Sequence, residues 1–422
     1  MIVISGARVW RRSGLVEATV VIDGDRVVHV GDVTAPAATR VIEANGAVLG
    51  PGLVDLHVHL RDPGQTWKED ISTGSMAAVA GGFTAVVTMP NTDPPTDNLK
   101  TATEILSRGA ELGLVDIVVA GALTRGRGGL EMADFDSMYE AGVRMFTDDG
   151  DSVADSGLLR RIMAYLRDLP GAFVAEHCED PSLTSGGHLN EGMVSASHRI
   201  GGIPAVAEDV VVARDLALAG DTGARLHIQH VSTSGSVDLI RRAKKSGLVV
   251  TCEVTPHHLG LDETMVDGLD PNLKMYPPLR TQADRRAVGE ALEDGTVDAV
   301  ATDHAPHSPW EKDVPFEEAP RGVIGLETSA SVTWEALNGN AGLFFERMSA
   351  APARIAGLER HGHPVESGSV ANLVLFDPGR SWVPHSFRSK SSNSPFLGTR
   401  LTGRVMATIH DGAVVYEGAS DE

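Results

Sequence analysis

The chain has 422 residues, 42% hydrophobic and 22% charged, with 46 glycines and 22 prolines spread along it. That is a soluble globular composition with room for one α/β barrel and a minor domain, and it excludes collagen-like and disordered classes. A formal net charge of −21 sets the surface against phosphate backbones and anionic lipids. Nucleic-acid and membrane partners are therefore not expected, and an anionic substrate would need positive charge supplied by its own site.

From the N-terminus, residues 1–9 read as a strand with no long apolar leader-like run. Residues 18–22 and 26–30 flank Asp23-Gly24-Asp25, a hairpin signal between β-rich runs. From residue 53 the texture changes. Short apolar runs at 53–60, 83–88, 115–120, 143–146, 172–176, 225–230, 248–252 and 297–302 alternate with helical patterns such as 205–219 and 236–245. Such alternation predicts a parallel sheet, and eight units predict a closed (β/α)8 TIM barrel. Two more helices are expected at 326–337 and 343–355. The β texture returns at 371–376, 404–410 and 413–416, the last two around Asp411-Gly412. Residues 1–50 and 365–422 are thus expected to form one small β-sandwich domain from both chain ends, with 51–364 as the catalytic barrel. The most apolar stretch, 77–89, is too short and too broken by Gly81 and Gly82 to span a bilayer. Two cysteines, Cys178 and Cys252, make no disulfide framework and fit a reducing cytoplasm.

In such a barrel the active site sits at the C-terminal ends of the strands, so polar residues that close a predicted strand carry the most weight. His57 and His59 close the first. Side chains alternate along a strand, so both point to one face, while Leu56, Val58 and Leu60 point to the other. Alone, an H-x-H pair is a weak metal signal. Asp149 follows the fourth predicted strand, His177 the fifth and Asp303 the eighth, and His230 closes the sixth. Core or surface duty explains one or two such residues but not six at one rim. Four histidines and two aspartates suit one or two divalent ions, zinc first. Arg61 lies two residues beyond His59 on the same face, where its planar fork suits a carboxylate. Its bland alternative is a surface ion pair.

With these residues in view, the sequence resembles the amidohydrolase superfamily and, within it, the bacterial class I dihydroorotases. The resemblance runs over essentially the whole chain. It is carried by Asp55-Leu56-His57-Val58-His59-Leu60-Arg61, Met89-Pro90-Asn91-Thr92, Phe146-Thr147-Asp148-Asp149-Gly150, Ala175-Glu176-His177-Cys178-Glu179 and Thr302-Asp303-His304-Ala305-Pro306-His307. The Phe146–Gly150 motif discriminates best. The resemblance implies that His57 and His59 bind a first zinc ion and His177 and His230 a second. Asp149 would bridge the two, and Asp303 would bind the first and act as general base. It also implies substrate contacts from Arg61, Asn91, Tyr276, His307, Arg321 and Gly322, with residues 308–320 as a loop over the site. Related dihydroorotases usually carry Asn where Tyr276 stands. The implied reaction is the reversible hydrolysis of the cyclic amide of (S)-dihydroorotate to N-carbamoyl-L-aspartate, in de novo pyrimidine biosynthesis. Metal-bound hydroxide attacks the ring carbonyl, and Asp303 passes the proton to the leaving nitrogen. A cytoplasmic homo-oligomer is a further implication, as is partnership with aspartate transcarbamoylase, which some members need.

Two other readings compete. Dihydropyrimidinases, hydantoinases and allantoinases typically bridge their metals with a carboxylated lysine. The fourth predicted strand, Gly142-Val143-Arg144-Met145-Phe146, has none, and the guanidinium of Arg144 stays protonated. A non-catalytic barrel scaffold would be marked by missing ligands, and all six are present. Among the remaining signals, the run Arg241-Arg242-Ala243-Lys244-Lys245 is expected as a solvated helix face. Gly126-Arg127-Gly128-Gly129 does not have the context of a dinucleotide fingerprint. His257 and His258 are expected to support the site structurally, Cys178 to pack, and His188, His198, His361 and His363 to be exposed.

Overall fold

The computed structural model describes residues 1–32 and 40–418. Eight central strands follow the predicted order: Leu53–Val58, Phe83–Thr88, Asp116–Val119, Met145–Phe146, Phe173–Glu176, Leu226–Ile228, Val250–Val254 and Ala299–Val300. Parallel pairing groups the first three in one arc and the other five in a second. Single parallel bridges, Gly121 to Phe146 and Val58 to His304, link the ends of the arcs. The first two strands are buried at every residue, the pattern of a parallel sheet covered on both faces. Leu56, Val87, Met145, Phe173 and Ala299, from five different strands, share one apolar cluster with Ala120, which directly follows a sixth.

A helix occupies each crossover: Ile71–Ala80, Leu99–Leu112, Phe135–Glu140, Ser156–Leu166, Val206–Thr222, Ser234–Lys245 and Gln282–Asp294; Leu326–Ala336 follows the last strand. Local chemistry fixes several of their starts. Asp70, Asn98, Asp155, Thr233 and Thr281 each accept a first-turn backbone N–H as N-caps, typically worth about 1 kcal/mol apiece. In Ser156–Leu166, the residues Leu158, Leu159, Ile162, Met163 and Leu166 recur at helical spacing and are buried; each such side chain contributes roughly 1.5–3 kcal/mol.

Two local expectations change. Strand alternation puts Leu56 on one face with Val58 and Leu60, but it packs in a different cluster from those two. The pairing of the first strand shifts register between Asp55 and Val58, and such an irregularity resets which side chains share a face. The helix expected at 343–355 is present but not uniform. Ala341–Phe345 runs through a wide π turn at Glu346–Ala350 into Ala351–Ala356. Pro352 in the first turn of the last piece has no N–H to continue a regular ladder.

Both chain ends enter one eight-stranded sheet. Val48–Pro51 ties them together, pairing in parallel with Ile2–Arg11 and antiparallel with Leu373–Trp382. The hydrogen bonding is that of one continuous sheet. Bulges in Leu373–Trp382 interrupt its ladder, and a bridge from Arg26 to Val370 brings an edge strand back toward the other end. The sheet's apolar core draws on both ends, with Ile4, Val20 and Leu49 beside Leu375 and Ile409. Among the described residues no helix is long and apolar enough to cross a membrane.

Candidate metal centre

At the rim of the central strands the backbone turns sharply. Arg61, His230 and Asp303 adopt left-handed φ values of 58°, 32° and 45°. Non-glycine residues enter that region at a cost and are often held there at functional sites. The six expected ligands converge at this rim, each no more than 7% exposed. His57 Nε2 lies 3.2 Å from Asp149 Oδ1 and 3.5 Å from Asp303 Oδ1. His59 Nε2 lies 3.0 Å from Asp303 Oδ1 and 3.5 Å from Asp149 Oδ2. On the other side, His230 Nε2 is 3.5 Å from Asp149 Oδ1 and 2.9 Å from His177 Nδ1. Two groups can each enclose a cation, His57–His59–Asp303 and His57–Asp149–His230, with ligand atoms within 4.8 Å of one another. Asp149 stands between them, and His177 joins through its contact with His230.

These residues fit divalent cations. His57 Nε2 is buried between the carboxylates of Asp149 and Asp303 without a hydrogen bond to either, an unsatisfied polar atom in a spot that favours positive charge and that a cation would resolve. Imidazole and carboxylate together are a donor set that zinc accepts. Burial, reinforced by His230, pushes His177 down to about 3, so its ring is a neutral ligand. Burial alone would raise Asp149, but His57 and His230 outweigh it and hold the carboxylate ionised. Burial also opposes charge on His57, and there Asp149 and Asp303 prevail and raise its value.

Further residues orient the ligands. His57 Nδ1 donates to Glu253 Oε1 at 3.1 Å, and His227 Nε2 donates to Glu253 Oε2 at 3.1 Å. His59 Nδ1 donates to Asn91 Oδ1 at 2.8 Å. The bonds on His57 and His59 direct their Nε2 atoms toward Asp149 and Asp303, while the other ring nitrogen of His227 meets Thr251 Oγ1 at 2.8 Å. Burial would raise Glu253, but the two histidines bring it down to about 2. Arg127 Nη2 donates to the carbonyls of Asp148 and Asp149 at 3.0 and 2.6 Å, fixing the loop that carries Asp149. Glu253, His227 and Arg127 escape a reading of the sequence. A lone carboxylate inside the apolar strand Val250–Val254 is a usable signal for Glu253; nothing local distinguishes Arg127.

A cavity of about 240 Å³ opens over the centre. It is lined by every ligand except His57, and by Arg61, Asn91, Tyr276, His307, Arg321 and Gly322. Arg61 is 8% exposed, donates from Nε to Pro306 O at 3.3 Å, and has no ion-pair partner among the described residues. Burial lowers it to about 10, so it stays charged at neutral pH. Asn91 has its carbonyl oxygen engaged by His59, which leaves its amide N–H groups for a ligand. His307 Nε2 donates to Arg321 O at 2.8 Å, while its Nδ1 is buried and unpartnered. The Tyr276 hydroxyl donates to Thr184 Oγ1 at 3.1 Å. Its ring lies 4.6 Å from that of His177, and the Arg321 guanidinium sits 4.1 Å from its centroid. Gly322 has φ 127°, and an added Cβ would meet Ala305 Cβ at 2.8 Å. A larger cavity of about 1060 Å³, near Trp10 and Leu343, holds none of the ligands.

The side expectations divide. His258 supports the site, with its ring nitrogens 2.7 Å from Thr255 Oγ1 and 3.2 Å from Pro277 O. Cys178 packs beside Asp215, and the Arg241 run lies on a helix face where Arg241 meets Asp238 and Asp294. His363 is exposed, and His188 and His198 are half-buried. His361, expected to be exposed, is buried, because its ring links Thr84 Oγ1 at 3.1 Å to Asp116 Oδ2 at 2.8 Å. Among the described residues no lysine lines the site cavity. Arg144 instead lies over the Tyr139 ring at 3.9 Å.

Comparison with known proteins agrees with this geometry. The dihydro-orotase-like family matches over residues 46–236. A protein of Streptomyces coelicolor named dihydroorotase is 46% identical over 397 residues, 92% of each chain. One of Citrifermentans bemidjiense with the same name is 43% identical over 424 residues, 99% of each chain. Among solved structures, an L-hydantoinase (dihydropyrimidinase) from Arthrobacter aurescens superposes with a TM-score of 0.86 at 26% identity, covering 99% of this chain and 96% of that one.

Proposed function

The chain belongs to the dihydroorotase-like family, and we propose that it is a zinc-dependent cyclic amide hydrolase that interconverts (S)-dihydroorotate and N-carbamoyl-L-aspartate, a step of de novo pyrimidine synthesis. On this reading the two strand arcs and their linking bridges are one closed (β/α)8 barrel, spanning residues 51–364. Both chain ends, 1–50 and 365–422, then build a small β domain beside it. The two free, buried cysteines suit a cytoplasmic place.

The carrying observation is one cavity with two walls of opposite character. The inner wall is the ligand set around Asp149. The outer wall offers a buried, unpaired guanidinium, Arg61, with Asn91 and Arg321 nearby. Divalent ions held by the six ligands would supply Lewis acidity, lowering the pKa of water and polarising an amide carbonyl. Arg61 binds the ring carboxylate through its planar fork and so presents the amide to the inner wall. Asp303 has Oδ1 turned toward His57 and His59; it accepts the proton of the attacking water and returns it to the ring nitrogen as the C–N bond breaks. Ring closure reverses these proton transfers. Dihydrouracil or a hydantoin carries no carboxylate for Arg61, and no lysine stands at the site, so dihydroorotate is favoured over the substrates of hydantoinases. The test is elemental analysis of gently purified protein with dihydroorotate hydrolysis assayed before and after chelation. One to two equivalents of divalent metal, with activity lost to chelator and restored by zinc, support the proposal; full activity in metal-free protein overturns it.

A further inference from the structure

Residues 308–320 lie against the segment 271–276, and two buried lysines join them. Lys312 is 7% exposed and Lys274 2%. Lys312 Nζ donates to Pro320 O at 2.8 Å, to Pro271 O at 2.9 Å and to Lys274 O at 3.4 Å. Lys274 Nζ donates to Phe316 O at 2.7 Å and Glu317 O at 2.9 Å, and lies 3.2 Å from His188 Nδ1. An ammonium has three donors, and both lysines use all three. Neither has a carboxylate partner within ion-pair distance among the described residues, in a chain of net charge −21. Burying an ammonium without an anion is expensive; here charge-assisted bonds to carbonyls offset it, helped for Lys274 by His188 and by the Phe316 ring 5.4 Å away. A core built only for stability would place apolar side chains at these positions.

What the two ammoniums join explains the arrangement. The 271–276 segment ends in Tyr276. The other segment is bounded by His307 at one end and by Arg321 and Gly322 at the other. All four residues line the site cavity. Gly322 N also donates to Lys274 O at 2.9 Å, which sets Arg321 over the Tyr276 ring. We propose that Lys274 and Lys312 are positioning residues for substrate recognition, fastening the two segments so that Tyr276, His307 and Arg321 stand at the spacing a carboxylate-bearing ring requires. This rests on the functional reading above. The lysines touch neither ligands nor cavity, so they act on ground-state binding through the residues they hold.

The test uses the metal-loaded full chain with Lys312→Met and Lys274→Met, which keep length and remove the donors. For each variant KM and kcat for dihydroorotate, metal content, thermal melting and amide exchange over 308–322 are measured. The expected result is KM raised about tenfold or more with kcat within about threefold, the signature of weakened ground-state binding. Metal content should be unchanged and exchange over 308–322 faster. KM within about twofold of the parent, or exchange unchanged in both folded variants, overturns the proposal. So does a fall in kcat that tracks a fall in bound metal. Should one variant fail to fold, the other carries the test; should neither fold, the lysines are structural and the proposal falls. If the parent itself does not turn over dihydroorotate, the functional reading fails, and the exchange arm still reports whether the lysines fasten the loop.

Discussion

Replacing Arg61 by methionine separates recognition from stability. The guanidinium is 8% exposed, its protein hydrogen bond runs 3.3 Å to Pro306 O, and no carboxylate pairs with it among the described residues. A buried cation without a partner opposes folding. The sign agrees: burial brings the folded-state value down to about 10, below its ordinary value of 12.5, so the charged group disfavours the folded state throughout neutral pH. A substrate carboxylate would supply the missing partner. Removing one side of a charge-assisted bidentate pair costs roughly 2–4 kcal/mol, or about 30- to 1000-fold in kcat/KM. Arg61→Met should therefore lose that much activity on dihydroorotate, retain its metal, and melt at an equal or higher temperature. Steady-state kinetics, elemental analysis and calorimetry on one preparation decide it. A loss below fivefold would refute the carboxylate role, and a large drop in melting temperature would show that the guanidinium is a structural element.

Three further outcomes are expected. Glu253→Gln weakens the hold on His57, so metal affinity should fall about 10- to 100-fold, read by competition with a chromogenic chelator; unchanged affinity would remove Glu253 from the centre. Tyr276→Phe loses the hydroxyl's bond to Thr184 and its contact with Glu179, and a neutral bond is worth about 0.5–1.5 kcal/mol, so activity should stay within about tenfold; a hundredfold loss would bring the hydroxyl into the reaction. Asp116 is opposed by burial but held low by His361 and His410, and His410 is opposed by burial but raised by Asp116. The carboxylate's contribution is present above its ordinary 3.8 and lost as pH falls through its lowered value. The imidazole's is full below its ordinary 6.5 and lost as pH rises through its raised value. Asp116→Asn should therefore lower the melting temperature most between those two pH values and least in alkali, and a uniform drop across pH would contradict the ion pair.

The clustering of the six candidate ligands is legible in the sequence because each lies at or just beyond the end of an apolar strand, and one topological rule gathers strand ends at one rim. The eight strands are legible for the same reason: buried parallel strands are short apolar runs between helical patterns. What lies beyond the sequence depends on pairing between distant segments. Glu253 meets His57 across 196 residues, and His361 meets Asp116 across 245; neither partner betrays the other locally. The register shift after Asp55 is invisible too. Asp55 accepts from Thr302 N and Thr302 Oγ1, and a bond to the last strand cannot be seen from the first. The large ring of Tyr276 fits because the pocket edge gives it His177 and Arg321 to pack against.

The central claim, that this centre hydrolyses a carboxylate-bearing cyclic amide, is tested most directly by offering metal-loaded protein (S)-dihydroorotate and dihydrouracil side by side and following ring opening. Dihydroorotate should be turned over and dihydrouracil, which lacks the group that Arg61 is placed to bind, should be nearly inert. Equal turnover of the two, or turnover of dihydrouracil alone, would contradict it.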